Sequence, residues 1–137
     1  MKNINFVNGN AAFAGAVYCK DSNNLTILNC SFSNNHVSGN DKSFGGAVLF
    51  EGGILTIENS KFNNNDASVD GGAVYFKGNN GIINASNFTG NKAYYNGAVY
   101  MNSVNGTVDK CIFANNVATN SSGALGWVKK ENGTIAY

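Results

Sequence analysis

The sequence contains no proline and no arginine, and only 12% of its residues are charged, roughly half of the ~25% usual in soluble domains. Lacking arginine, it has no planar bidentate clamp for phosphate or carboxylate. Its nine lysines oppose eight acidic residues for a net charge of +1, and they form no basic stripe, which argues against a nucleic-acid partner. No apolar run approaches the ~20 residues that span a bilayer, and no basic amphipathic run suggests a membrane-surface helix. Met1-Lys2-Asn3-Ile4 does not open a signal peptide, so any export signal is expected outside this piece. A single histidine and three cysteines supply no clustered metal ligands, so neither a metal nor a cofactor is expected.

Glycine and asparagine are abundant instead. There are 17 glycines, and 26 of the 137 residues are asparagine. Asparagine tolerates left-handed backbone and favours tight turns. A chain that is also 43% apolar therefore has many turns and much core.

The placement of these residues is periodic. A small-apolar cluster recurs at Gly15-Ala16-Val17, Gly46-Ala47-Val48, Gly72-Ala73-Val74, Gly97-Ala98-Val99 and Gly123-Ala124-Leu125, at gaps of 31, 26, 25 and 26. Between these clusters a phenylalanine precedes Asn or Gly, at Phe6, Phe32, Phe62, Phe88 and Phe113, with gaps of 26, 30, 26 and 25. A third landmark is the triplet at Leu25-Thr26-Ile27, Leu55-Thr56-Ile57, Gly81-Ile82-Ile83, Gly106-Thr107-Val108 and Gly133-Thr134-Ile135. Three landmarks in constant order define about five repeats of some 26 residues. Gly and Asn interrupt too often for helical repeats, and propeller blades need ~40 residues.

The pattern predicts an all-β parallel β-helix (a single-stranded solenoid) over residues 1–137, with three short strands per coil separated by turns. Like residues then stack on like residues at about 4.8 Å per coil. Alternation assigns a core ladder of Phe6, Phe32, Phe62, Phe88 and Phe113; of Ile27, Ile57, Ile83 and Val108; and of Val17, Val48, Val74 and Val99. Cys19, Phe50, Phe76, Met101 and Trp127 form another inward column. Tyr18, Leu49, Tyr75, Tyr100 and Gly126 are expected to face outward. Asn35, Asn65, Asn91 and Asn116 form a turn ladder, followed by small inward residues such as Val37, Ala67 and Ala93. Cys30 and Cys111 share a column three coils apart, about 14 Å at the strand spacing. That is beyond the ~7 Å reach of a disulfide, so all three cysteines are expected as buried small hydrophobes.

Gly45-Gly46-Ala47-Val48, Gly71-Gly72-Ala73-Val74 and Phe62-Asn63-Asn64-Asn65 resemble the Gly-Gly-Ala-(Ile/Leu/Val) and Phe-x-x-Asn repeats of the polymorphic outer-membrane protein family of chlamydiae. They are also similar to repeats in adhesin-like surface proteins of bacteria and methanogenic archaea. The resemblance covers essentially the whole chain. It departs at Asn96-Gly97 and Ser122-Gly123, where the first glycine is replaced, and no translocating barrel accompanies the repeats. It implies a right-handed β-helix and an adhesive role at the cell surface.

The expected function is therefore an extracellular or cell-surface, adhesin-like structural module. Its faces and loops would bind glycan or protein weakly and multivalently. Candidate contacts are Tyr18, Tyr75, Tyr94, Tyr95 and Tyr100, whose rings suit stacking on a sugar or a protein partner. His36 and Asp41 join them, on an insertion loop at residues 36–44 that has no equivalent of the same length in other coils. The chain reads as a piece of a longer protein. Neither end shows a polar cap, so flanking coils of the parent chain or end-to-end self-association are expected to cover the terminal coils. The alternatives are a purely structural spacer, or a polysaccharide lyase or glycoside hydrolase using two carboxylates such as Asp66 and Asp70. No column gathers acids from adjacent coils, so no catalytic residue is assigned.

Overall fold

The computed structural model describes residues 1–39, 41–129 and 135–136. In chain order its strands are β1 (Asn5–Val7), β2 (Asn10–Ala11), β3 (Val17–Leu28), β4 (Ser31–Ser33), β5 (His36–Val37), β6 (Val48–Glu58), β7 (Lys61–Asn63), β8 (Asp66–Ala67), β9 (Val74–Asn84), β10 (Asn87–Thr89), β11 (Lys92–Ala93), β12 (Val99–Asp109), β13 (Ile112–Ala114), β14 (Val117–Ala118), β15 (Leu125–Lys129) and β16 (Ile135–Ala136). They form three sheets, ordered β1-β4-β7-β10-β13, β2-β5-β8-β11-β14 and β3-β6-β9-β12-β15-β16. Each strand pairs in parallel with its counterpart one coil away, and only β15 and β16 pair antiparallel. The chain is a right-handed parallel β-helix of about five coils with three strands in each. No helix among the described residues is long and apolar enough to cross a membrane.

The identity of the three strands differs from the sequence expectation. The Gly-Ala-Val segment and the triplet segment are two ends of one long strand, as in β6, β9 and β12. The third strand is the two-residue piece that follows the asparagine ladder. Gly52 and Gly78 lie within β6 and β9. An added Cβ at Gly52 would meet the Phe50 ring at 2.4 Å, and one at Gly78 the Phe76 ring at 2.5 Å. These glycines make room for an aromatic ring lying along the strand, a recognised use of strand glycine.

Three kinds of corner turn the chain. Asn29 and Asn59 hold positive φ between the long strand and the phenylalanine strand, and Asn34, Asn64 and Asn115 hold it at the next corner. Asparagine accepts this geometry at little steric cost. The third corner carries the Gly-Gly pairs. Gly71 has φ +62, while a Cβ at Gly72 would sit 2.1 Å from the Gly97 carbonyl oxygen and 2.4 Å from that of Lys92. Two backbones meet there at a distance only glycine allows.

The phenylalanine ladder forms the core. Phe32, Phe62 and Phe88 are fully buried, and successive rings from Phe6 to Phe113 lie 4.7–4.9 Å apart within 7° of parallel. Ile27, Ile57, Ile83, Val48, Val74 and Val99 are likewise fully buried, with Phe50, Phe76 and Met101 beside them. Phe6, Val17, Val108, Phe113 and Trp127 pack on this core from the terminal coils and are only partly buried. Val37, Ala67 and Ala93 form a second, smaller cluster.

Polar ladders run beside the apolar ones. The Asn35 backbone N–H and side-chain amide both donate to Asn65 Oδ1 at 3.0 and 2.9 Å. Asn65 donates in the same way to Asn91, and Asn91 to Asn116. Each amide also donates to the carbonyl of the phenylalanine one coil back, as Asn65 Nδ2 does to Phe32 O at 3.0 Å. A serine ladder lines the first corner, where the Cys30 N–H donates to Ser60 Oγ and the Ser60 N–H to Ser86 Oγ, each at 3.1 Å.

Three further expectations are corrected. Only Cys30 is buried, whereas Cys19 and Cys111 are half-exposed because their coils are terminal. Leu49 does not face solvent but is 4% exposed, beside the loop that carries Lys42 and Phe44. Gly126 is also buried, since the Asn96 amide packs where its Cβ would be. At the C-terminal end, Gly133 and Thr134 lie outside the described residues. Ile135–Ala136 folds back against Trp127 and Val128 instead of extending the parallel stack.

Candidate functional site

The outer surface of the long sheet is set by period-two alternation. Starting with the residue that directly follows Val17, Val48, Val74 or Val99, alternate residues point away from the core. Register then builds two adjacent outer columns. The first is Tyr18, Leu49, Tyr75 and Tyr100; the second is Lys20, Glu51, Lys77 and Asn102.

The first column is aromatic except at Leu49. Tyr75 and Tyr100 stack at 4.8 Å, and Phe44 stacks on the other face of Tyr75 at 4.6 Å. Tyr18 is 52% exposed and stacks with Phe13 at 5.7 Å. Burial, and secondarily each other's charge and that of Asp70, pushes the Tyr75 hydroxyl well above the usual phenol range; burial likewise raises Tyr100. Both stay protonated near neutral pH and keep their donor capacity.

The register also measures the insertion loop. Val37 pairs with Ala67 and Phe44 bridges to Asp70, so six residues stand where the next coil has two. The loop carries Phe44 onto the outer column. Between the Phe13–Tyr18 pair and Phe44 lies a cleft of about 320 Å³, floored by Leu49 and rimmed by Lys20, Lys42 and Glu51. Lys20 Nζ and Glu51 Oε2 are 3.9 Å apart, with both side chains partly exposed. A shallower hollow continues along Lys20, Asp21, Glu51 and Lys77.

The sequence-predicted residues divide among several places. Tyr18 borders the cleft, while Tyr75 and Tyr100 extend its aromatic wall along the coil axis. Tyr94 and Tyr95 form an exposed edge-to-face pair at 4.7 Å on the corner after β11. His36 lies on β5, its Nδ1 3.4 Å from Asp66 Oδ2, and Asp41 is exposed on the loop. Phe13 and Phe44 were not singled out from the sequence. Their signal was present, since each stands two residues before a landmark glycine, Gly15 and Gly46.

Asp66 and Asp70 occupy different settings. Asp66 is an outward residue beside His36. Asp70 is buried at the third corner, where its Oδ1 accepts from the Gly71 N–H at 2.7 Å, the Asn96 N–H at 3.1 Å and Asn96 Nδ2 at 2.8 Å. Desolvation raises its pKa above 3.8, and the hydrogen bonds from Asn96 and Gly71 only partly oppose this. In the folded state the carboxyl therefore holds its proton to higher pH than in the unfolded chain. Stability falls as pH rises from the unfolded value of 3.8 through the raised folded one, and is level above both. Asp70→Asn keeps an acceptor oxygen and removes this dependence. In urea titrations across pH 3–7, the stability of the variant relative to the parent is expected to increase with pH through that window. A difference independent of pH would contradict the assignment.

Among the described residues, no three His, Cys, Asp or Glu side chains converge as metal ligands would. A family model described as a right-handed beta helix region matches residues 14–135. No curated protein and no solved structure matches the chain.

Proposed function

We propose a function for this chain, which belongs to the right-handed β-helix family: it is an adhesin-like module, displayed outside the cell or on its surface, that binds glycan or protein weakly at many points. The supporting observation is the outer aromatic column. Phe44, Tyr75 and Tyr100 present stacked rings 4.6–4.8 Å apart on a scaffold whose core is fully packed. Tyr94 and Tyr95 add a second exposed aromatic pair. Rings held by a rigid sheet lose little conformational entropy on binding, which suits them to shallow recognition. Individually weak contacts become useful when many copies engage one surface.

The test is retention of a surface-immobilised protein layer on a glycan array and on host-cell protein blots. Tyr75→Ser with Tyr100→Ser is expected to lower avidity about tenfold or more, in line with the loss of one contact from a multivalent set. No retention by parent or variant would leave a spacer, and equal retention by the two would move the adhesive surface off the Tyr75–Tyr100 column. Release of oligosaccharide from a polysaccharide panel would instead favour the enzyme reading.

A further inference from the structure

We infer that the cleft between Tyr18 and Phe44 is a site for a single hexopyranose unit, the chain end of a glycan. This deepens the adhesive reading and rests on it. The argument starts from the register. Tyr18, Leu49, Tyr75 and Tyr100 are one column, and Leu49 is its one non-aromatic member among these four. Phe44 takes the ring position of the second coil, stacked on Tyr75 at 4.6 Å. A hollow of about 320 Å³ lies between Phe44 on one side and the Phe13–Tyr18 stack on the other, with Leu49 at its base. It is a slot between aromatic groups.

The rim selects the chemistry. A flat hydrocarbon ring would satisfy the walls and floor but would strip water from Lys20 and Glu51. A hexopyranose offers an apolar C–H face to the aromatic walls and hydroxyls at its edge. Lys20 and Glu51 stand 3.9 Å apart, too far for a good hydrogen bond between them. One hydroxyl of a vicinal diol can donate to the Glu51 carboxylate while its neighbour accepts from the Lys20 ammonium. Lys42 stands on the same rim, so the mouth of the cleft offers cationic donors and a carboxylate acceptor side by side, which suits the paired hydroxyls of a sugar edge. Exposed ion pairs of this kind contribute little to stability, so exchanging their partners for hydroxyls costs the fold little.

The experiment uses the 137-residue chain and three probes, the methyl pyranosides of glucose, galactose and mannose, followed by side-chain NMR. At least one probe is expected to shift the ring signals of Phe13, Tyr18 and Phe44, saturating with a Kd on the order of 1 mM, as befits a small, shallow site. Tyr18→Ala removes a wall ring that is 52% exposed. It should weaken binding at least tenfold while leaving the melting temperature near that of the parent, and Phe44→Ala should weaken it comparably. The inference is overturned if no probe shifts those rings at 100-fold excess over that Kd. It is also overturned if N-acetyl-tryptophanamide saturates the same signals more tightly, which would mark a peptide site. Array retention that survives Tyr18→Ala undiminished would sink the cleft as the binding site and leave the adhesive reading standing. Probe binding in the cleft without any array retention would do the reverse.

Discussion

Phe62→Ala is expected to lower the unfolding free energy by about 3–5 kcal/mol, the range for removing a large buried aromatic. The ring is fully buried and lies 4.7 Å from both Phe32 and Phe88, within 5° of parallel. Its neighbours cannot close the gap. Backbone pairing on either side fixes them, with Phe32↔Phe62 and Phe62↔Phe88 in register, so the cavity term adds to the transfer term. The same change at Phe6 removes a ring that is only partly buried and stacks on one face, and it should cost less than half as much. Urea midpoints with unchanged slopes would measure both. A Phe62→Ala loss below about 1 kcal/mol would mean that the stack relaxes, contrary to a rigid ladder.

Asn65→Ala is the second large effect, at about 3–5 kcal/mol, since it orphans several buried groups worth about 1–3 kcal/mol each. Asn65 is fully buried. Its Oδ1 accepts from the backbone and side chain of Asn35, and its Nδ2 donates to Phe32 O and Asn91 Oδ1. Alanine removes the acceptor of the buried Asn35 backbone N–H and of one Asn35 amide proton, and with it the donor to Phe32 O and Asn91 Oδ1. Asn65→Asp separates hydrogen bonding from packing. Its Oδ1 still serves Asn35, but its second oxygen faces two acceptors unless protonated. The deficit of the aspartate variant should therefore shrink as pH falls, whereas that of the alanine variant should not. Chemical denaturation at neutral and acid pH distinguishes them, and equal pH dependence would refute the ladder's donor–acceptor order.

Both effects concern features visible in the sequence. The phenylalanines and the asparagines recur at the coil period, and a repeat that stacks places like on like. Other features were not visible at that level. Leu49 was read as outward because alternation says only which side of the sheet a residue takes. Its near-complete burial depends on where Phe44 lands, and that follows from the path of a loop. Glycine ends strands as readily as it admits a close neighbour, so Gly52 and Gly78 in the sequence leave both uses open. Only the position of the Phe50 and Phe76 rings decides between the two uses. Asp66 and Asp70 looked like a pair because they are close in sequence, yet one lies on an outward strand position and the other is buried at a corner.

The sequence by itself determined the coil, its period and the residues that stack in the core and along the asparagine turn. These depend on a one-coil pattern repeated with fixed spacing, and a periodic chain carries that information locally. Tertiary structure alone decided the cleft. It is made where an insertion of one coil folds across the outer column of its neighbours, and its walls are Phe13, Tyr18 and Phe44 from two different coils. Contacts between a non-periodic loop and a periodic surface have no counterpart elsewhere in the repeat, so no internal comparison could reveal them.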